Sequence, residues 1–392
     1  MKLTGTPFYI LTIVLFLASI GLAMLQWARG GGSGIRWGRG GAQGQAAASR
    51  LGPLRFVGYL ATVLLCQFTA VMLVFVIVNN ENMLYDSWGD LLGTSSHVRA
   101  VPVPPKDNGI AGDSGAGKDR PKVIQSFHGV DNDMIPKDVK ETDLKGQLSG
   151  VDGEVLVWTP PQYDDPAYKD KTFPVVELLV GFPGSANAWF GTMKASKELA
   201  PLMKSGQVTP FILVSPRVKL LGESTDTGCA DIPGKVNAET WLSRDVPQMV
   251  LDNFRADASS DRWAVAGYSA GGHCATRLAL AHPNRYRAAI SMSGYNDPAG
   301  ESASLTGKDP HLRETANPLY LLTHATTPPN VSLFETGNKG DGLEDAAALQ
   351  KAAKSPTSVT TFETHGPHLS STWIPIVEPS FKWLSGIIPA KH

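Results

Sequence analysis

Two long stretches near the N-terminus carry no charged residue, and they constrain this chain more than any other feature. The first runs from Leu3 to Ala28 and includes PFYILTIVLFLASIGLAML. The second, FVGYLATVLLCQFTAVMLVFVIV, runs from Phe56 to Val78. Each exceeds the roughly 20 apolar residues a helix needs to cross a bilayer. Between them lies ARGGGSGIRWGRGGAQGQAAASRLGPLR, with five Arg and no Asp or Glu. Loops rich in Arg stay on the cytoplasmic side, so the N-terminus and everything after Val78 are expected outside. The alternative is a cleaved signal peptide in the first segment. It would export the Arg-rich loop, and no small-x-small cleavage site stands out. Trp27 and Tyr85, near the span ends, suit interfacial anchoring.

Charge separates the rest from this anchor. Residues 1–79 hold Lys2, Arg29, Arg36, Arg39, Arg50 and Arg55 and no acid, leaving 29 basic and 36 acidic residues beyond them. A mildly acidic body lacks the clustered basic face of a nucleic-acid binder, so no nucleic-acid partner is expected. After the second run comes NNENMLYDSWGDLLG, whose Leu, Tyr and Trp can pack on the membrane surface or on the domain. Residues 97–120, rich in Pro, Gly, Asp and Lys, cannot bury enough apolar area to order themselves and read as a tether. The expected division is an anchor at 1–79, a juxtamembrane segment and linker at 80–121, and an extracytoplasmic domain at 122–392. GDSGAGK at 112–118 is no phosphate-binding loop. It lacks the spacing, the following Ser or Thr, and a preceding strand.

Of three cysteines, Cys66 lies inside the second run and reads as a small apolar filler. Cys229 and Cys274 fall outside the membrane, where disulfides persist, and are candidates for a bridge. Two buried free thiols are the other reading. Neither has the CxxC spacing of a zinc or redox site.

From about Lys122 onward, short apolar runs alternate with helical patterns. Strands are expected at 152–161, 173–181, 210–216, 262–268, 286–294, 331–337 and 359–366. Helices are expected at 240–254, broken near Pro247, and at 270–283 and 342–354. Such alternation implies a mostly parallel sheet covered on both faces. Reactive groups then gather at the carboxyl ends of strands.

GYSAGG, 267–272, follows the strand WAVAG and opens a helix. A nucleophile elbow needs this setting: a tight turn lifts the Ser269 hydroxyl above the sheet, and Gly267 and Gly271 leave it room. The bland alternative is a turn in which Ser269 caps the helix. A serine hydroxyl needs a base, and in this fold class the order is Ser, acid, His. THGPHLSSTW offers His365 and His368; His368, in the turn past the last strand, is the better placed. His273, four residues after Ser269, reads as packing or as the pocket edge. For the acid, the loop NKGDGLED supplies Asp341, Glu344 and Asp345, with Glu335 inside the preceding strand. Asp341 lies in the glycine-flanked turn and is preferred, Glu344 next; acids in a first helical turn also complement its dipole. Two donors must hold the oxyanion. The expected pair is the backbone N–H groups of Ala270 and of Phe182 in VGFPGSANAW. Asn187, Trp189 and Phe190 then line the pocket mouth or simply pack.

These motifs resemble the esterase D branch of the α/β-hydrolases, which includes S-formylglutathione hydrolases, secreted esterases and the mycolyltransferase antigens of actinobacterial envelopes. The resemblance spans roughly residues 140–388 and rests on LLVGFPGSANAWF, SRDVPQMV, GYSAGG, SMSG and GPHLSSTW. The double span with its MKLTGTP start resembles membrane-anchored esterase-family proteins of high-GC Gram-positive bacteria. The resemblance implies an α/β-hydrolase fold after two transmembrane helices, and a serine esterase acting on small-molecule or lipid esters beside the bilayer. It implies no metal and no cofactor, and leaves the oligomeric state open. An acyltransferase using the same residues on a sugar or lipid alcohol is the alternative. Mycolyltransferases use Glu as the acid and place Ser-Trp directly after the histidine. Here the loop favours Asp, and Trp373 comes five residues on, so the likeness favours the hydrolytic machinery over mycolate as substrate.

Overall fold

The computed structural model of the chain describes residues 3–30, 53–99, 122–222 and 225–391. Most of the Arg-rich loop, most of the expected tether and the GDSGAGK stretch lie outside the described residues. The chain divides into two compact units, Met1–Glu81 and Asn82–His392.

In the first unit, helices Thr6–Gly30 and Pro53–Asn82 are each long and apolar enough to cross a membrane, by length and composition. Their few hydroxyls are satisfied locally: Thr62 donates to Gly58 O at 2.9 Å, one turn back. The Ser19 and Thr69 hydroxyls join the two helices at 3.0 Å.

Among the described residues, the second unit has eleven strands: β1 His128–Gly129, β2 Lys140–Lys145, β3 Asp152–Trp158, β4 Val175–Leu179, β5 Ile212–Pro216, β6 Asp231–Ile232, β7 Val236–Asn237, β8 Trp263–Tyr268, β9 Ala288–Met292, β10 Ser332–Gly337 and β11 Ser358–Glu363. Nine form one sheet in the order β1-β2-β3-β5-β4-β8-β9-β10-β11; β6 and β7 pair separately. From β5 to β11 every pairing is parallel, and the β1-β2-β3-β5 edge is antiparallel. The central strands VVELL, WAVAGY and AAISM are buried at every residue. Parallel strands covered by helices on both faces read as such unbroken runs. In register, Leu179 lies beside Gly267 and Gly267 beside Ser291. The carboxyl ends of β4, β8 and β9 therefore meet where Ser269 begins the helix Ala270–Ala281.

Residues 240–254 are not one kinked helix. A short helix Ala238–Thr240, a π turn Trp241–Asp245 and a helix Val246–Asn253 follow one another. Pro247 falls in the first turn of the last piece, where its missing N–H is tolerated. Several elements were not expected from the pattern, among them β2 and the helices Ala195–Lys204, Pro318–His324 and Ser370–Ile387. The last buries Trp373, Val377, Phe381 and Leu384 along one face despite Pro375 and Pro379.

Cys229 and Cys274 are joined by a disulfide, which ties the loop after β5 to the helix Ala270–Ala281. The compact unit starts at Asn82 rather than at 122. Residues 83–99 are folded into it, and Val98 bridges Val151 in antiparallel fashion.

Candidate active site

Ser269 sits between β8 and the helix it opens, with φ 55° and ψ −127°. L-residues rarely adopt such angles, and they persist only where the surroundings enforce them. The Ser269 N–H donates to Met292 O at 2.8 Å, and its carbonyl accepts from Gly272 N–H at 2.9 Å and His273 N–H at 3.1 Å. The flanking glycines are a steric requirement. A Cβ on Gly267 would stand 2.0 Å from Gly271 O, and one on Gly271 would stand 2.3 Å from Leu179 O.

The structure brings Ser269, His368 and Asp341 into one hydrogen-bonded chain. Ser269 Oγ lies 2.8 Å from His368 Nε2, and His368 Nδ1 lies 2.7 Å from Asp341 Oδ1. Asp341 belongs to a turn after β10, closed by Asn338 N–H to Asp341 O at 3.0 Å and Asp341 N–H to Asn338 O at 2.9 Å. The Asn338 side-chain amide donates to Gly366 O at 2.6 Å, and Thr364 N–H donates to Gly337 O at 2.8 Å. The acid turn is thereby fastened to the histidine turn. The His368 ring also meets the Trp373 indole, which stacks on Tyr268 at 4.8 Å and donates from Nε1 to Ser293 Oγ at 3.1 Å. Asn338 and Trp373 are supports that the sequence reading missed. The only cue was a tryptophan at an unfamiliar distance from the histidine.

The other candidates lie elsewhere. His365 is exposed and takes no part in this chain of bonds. His273 is buried, stacked on Tyr295 and bonded from Nδ1 to Tyr295 O at 2.8 Å; burial pushes its pKa down to about 4. It packs as a neutral ring. Glu335 is buried and accepts from Thr276 Oγ1 at 2.7 Å; burial pushes its carboxyl up to about 7. Glu344 is exposed and accepts from Gly340 N–H at 3.0 Å. Its own N–H and that of Gly340 hold its pKa below the usual value. Asp345 accepts from Asn296 N–H at 2.9 Å. Of the four acids weighed, Asp341 alone reaches His368.

The loop after β4 passes directly against the turn that holds Ser269. A Cβ on Gly181 would stand 3.0 Å from Ser269 Cβ and 3.1 Å from the Tyr268 ring. Phe182 follows, half-buried, and Ala270 directly succeeds Ser269. Ser185 caps the short helix Ala186–Trp189, accepting from Asn187 N–H at 3.1 Å. Asn187, Trp189 and Phe190 are buried, and Trp189 donates to Leu179 O at 2.9 Å, so they pack rather than line a mouth.

Chemically, a hydroxyl bonded to an imidazole that is itself bonded to a carboxylate can pass its proton as it attacks a carbonyl. The His368 side chain is 46% exposed, so water reaches the site. A cavity of about 610 Å³ between β2 and the helix Val246–Asn253, lined in part by Leu144, Arg244 and Met249, shares no residue with it. Among the described residues, no three His, Cys, Asp or Glu side chains are gathered for a metal ion.

The sequence model of a family described as "Putative esterase" matches residues 149–382. An uncharacterized protein of Corynebacterium glutamicum is 26% identical over 253 residues, covering 60% of this chain and 58% of that protein. An S-formylglutathione hydrolase of Bos taurus is 28% identical over 116 residues, 28% of this chain and 40% of that one. The chain thus spans less than two thirds of the length of these curated relatives. Among solved structures, a ferulic acid esterase has a TM-score of 0.53 at 19% identity, covering 64% of this chain and 98% of its own. An S-formylglutathione hydrolase from Agrobacterium tumefaciens has a TM-score of 0.51 at 16% identity, covering 68% and 100%. At these identities the structural likeness establishes the fold, which is that of the α/β-hydrolases.

Proposed function

The chain belongs to the esterase family of serine hydrolases, and from that premise we propose a membrane-anchored, extracytoplasmic serine esterase that cleaves carboxylic esters or thioesters through Ser269, His368 and Asp341. The observation that carries this reading is the pair of hydrogen bonds, 2.8 Å and 2.7 Å, linking the three side chains.

In the first half-reaction, Ser269 Oγ bonds the substrate carbonyl carbon while its proton passes to His368 Nε2. The carbonyl electron pair moves onto oxygen, and the N–H groups of Phe182 and Ala270 hold the charge. Asp341 keeps His368 in the right tautomer and stabilises its charged form. Collapse expels the alcohol or thiol, which takes the proton from His368 and leaves an acyl-Ser269. Water then attacks the acyl carbon, giving a proton to His368; collapse breaks the bond to Ser269 Oγ, which takes that proton back, and the carboxylic acid departs. The half-open side chain of His368 leaves room for water to reach the acyl-enzyme.

Anchoring rests on the two apolar helices and on the Arg-rich stretch between them, which orients the catalytic unit outward. Cys229 and Cys274, as a bridged pair, fit that oxidising side.

The test is a series of p-nitrophenyl esters, acetate to palmitate, hydrolysed by the full chain in detergent with and without glycerol as acceptor. Ser269-dependent release of free acid, indifferent to glycerol, is expected. Acceptor-stimulated formation of acylglycerol would replace hydrolysis with transfer. Absence of both turnover and fluorophosphonate labelling would leave a silent scaffold.

A further inference from the structure

The donor loop at 181–189 is held from outside the hydrolase sheet, by the stretch that directly follows the second apolar helix. Ser185 N–H donates to Met83 O at 3.0 Å, and the Asn187 side-chain amide donates to Asp86 Oδ1 at 3.0 Å. Met83 is fully buried with its thioether against Gly191, where a Cβ would stand 2.0 Å from the Met83 methyl. The support is itself anchored. Ser87 caps the short helix Trp88–Leu92, and Asp90 within that helix bonds Arg217 Nη1 at 3.2 Å. Arg217 Nε reaches Glu154 Oε2 at 2.5 Å, and Lys219 Nζ donates to Asp90 O at 2.6 Å. Lys219 also lies over the Tyr85 ring, 4.6 Å from its centroid. Further on, His97 N–H donates to Leu220 O at 3.2 Å, and Arg99 N–H to Gly150 O at 2.8 Å.

Buried ion pairs contribute little net stability, but removing one partner is costly because the other is left stranded. A network of this kind serves placement better than stability. Asp86 fits that view: burial and the Glu154 charge push its carboxyl up to about 6, against the hydrogen bonds from Ser185 and Asn187.

We propose that residues 83–99 position the donor loop for the acyl-transfer step, with Asp86 and Met83 as positioning residues acting through Asn187 and Ser185. This rests on the assignment of Phe182 N–H as an oxyanion donor. The loop runs from Gly181, packed on Ser269, to Asn187, packed on Asp86, so its two ends are fixed by the nucleophile and by the juxtamembrane stretch. The stretch joining the catalytic unit to the membrane anchor is therefore part of the catalytic scaffold rather than a passive leash.

The experiment uses the full chain in detergent, with Asp86→Ala, Asn187→Asp and the swapped pair Asp86→Asn with Asn187→Asp. Each is measured for kcat and KM on one p-nitrophenyl ester, for melting temperature, and for affinity toward a boronic acid that becomes tetrahedral on Ser269. Asp86→Ala and Asn187→Asp are expected to lower kcat about 10- to 100-fold with KM within about twofold, since a displacement near 1 Å costs that much. Boronate affinity should fall in step, because the loop donors act on the tetrahedral oxyanion. The swapped pair, which restores an amide–carboxylate bond, should recover most of the loss. It also decides the matter if Asp86→Ala does not fold. Single variants with unchanged kcat and boronate affinity, or a swap that recovers nothing, would overturn the proposal. Failure of the underlying esterase reading looks different: Ser269→Ala would keep the turnover, or the wild-type chain would not bind boronate.

Discussion

The Trp373 indole meets the His368 ring edge-on, with 4.8 Å between centroids and 90° between planes. The imidazole is thus fixed by three contacts: Ser269 on one nitrogen, Asp341 on the other, and an aromatic wall on its edge. Trp373→Ala is expected to lower kcat/KM about 100-fold through misplacement of His368. It should also cost about 3–5 kcal/mol of stability as a buried large-to-small change. Trp373→Phe should recover most of the activity while losing the bond to Ser293. Steady-state kinetics and thermal melting on both variants check this.

Asp341→Asn is expected to lower kcat about ten-thousand-fold with little change in melting temperature, because the amide favours the wrong tautomer of His368. Glu344→Gln should leave kcat within about twofold. The reverse ranking would reassign the acid.

Stability should fall as pH rises from about 6.5 to about 8. Burial pushes Glu177 up to about 8, although it accepts from Tyr286 Oη at 2.8 Å and lies near Arg285. Burial likewise pushes Glu335 to about 7. With folded values above unfolded ones, the fold binds more protons than the open chain in this window, so raising pH destabilises it. His273, pushed down to about 4, acts in the opposite sense but only below its ordinary value of 6.5. Melting temperature against pH should therefore decline across this window, and Glu177→Gln should flatten the slope. A wild-type curve that rises instead would count against the assignment.

Reducing or deleting the Cys229–Cys274 bridge should cost about 4 kcal/mol, the chain-entropy value for a loop of its 45-residue separation. The double variant Cys229→Ala with Cys274→Ala and the reduced wild-type should melt at similar, lowered temperatures. A melting point insensitive to reductant would refute this.

What the sequence revealed was set by local physics. VVELL, WAVAGY and AAISM read as strands because both faces of the sheet are covered, and Gly267 and Gly271 signalled a turn that leaves no room for side chains. The helix Ser370–Ile387 escaped because Pro375 and Pro379 argue against helix, although packing of Trp373, Val377 and Phe381 overrides them. The helix Ala195–Lys204 lacks a side-chain cap, starts after Lys194 in a left-handed conformation, and holds Pro201. The role of residues 83–99 was hidden for another reason. Its partners, Asn187 and Arg217, are separated from Asp86 and Asp90 by 101 and 127 residues. No periodicity reports contacts of that range.

The separation of Ser269 from His368, 99 residues, has a consequence for the order of manufacture. At about 5–20 residues per second, the ribosome finishes the nucleophile turn roughly 5–20 s before it adds the imidazole. The wall of Trp373 comes later still, five residues after the imidazole. On the proposed mechanism the serine is made well before the base it needs, and no acyl transfer can begin until His368 has been added.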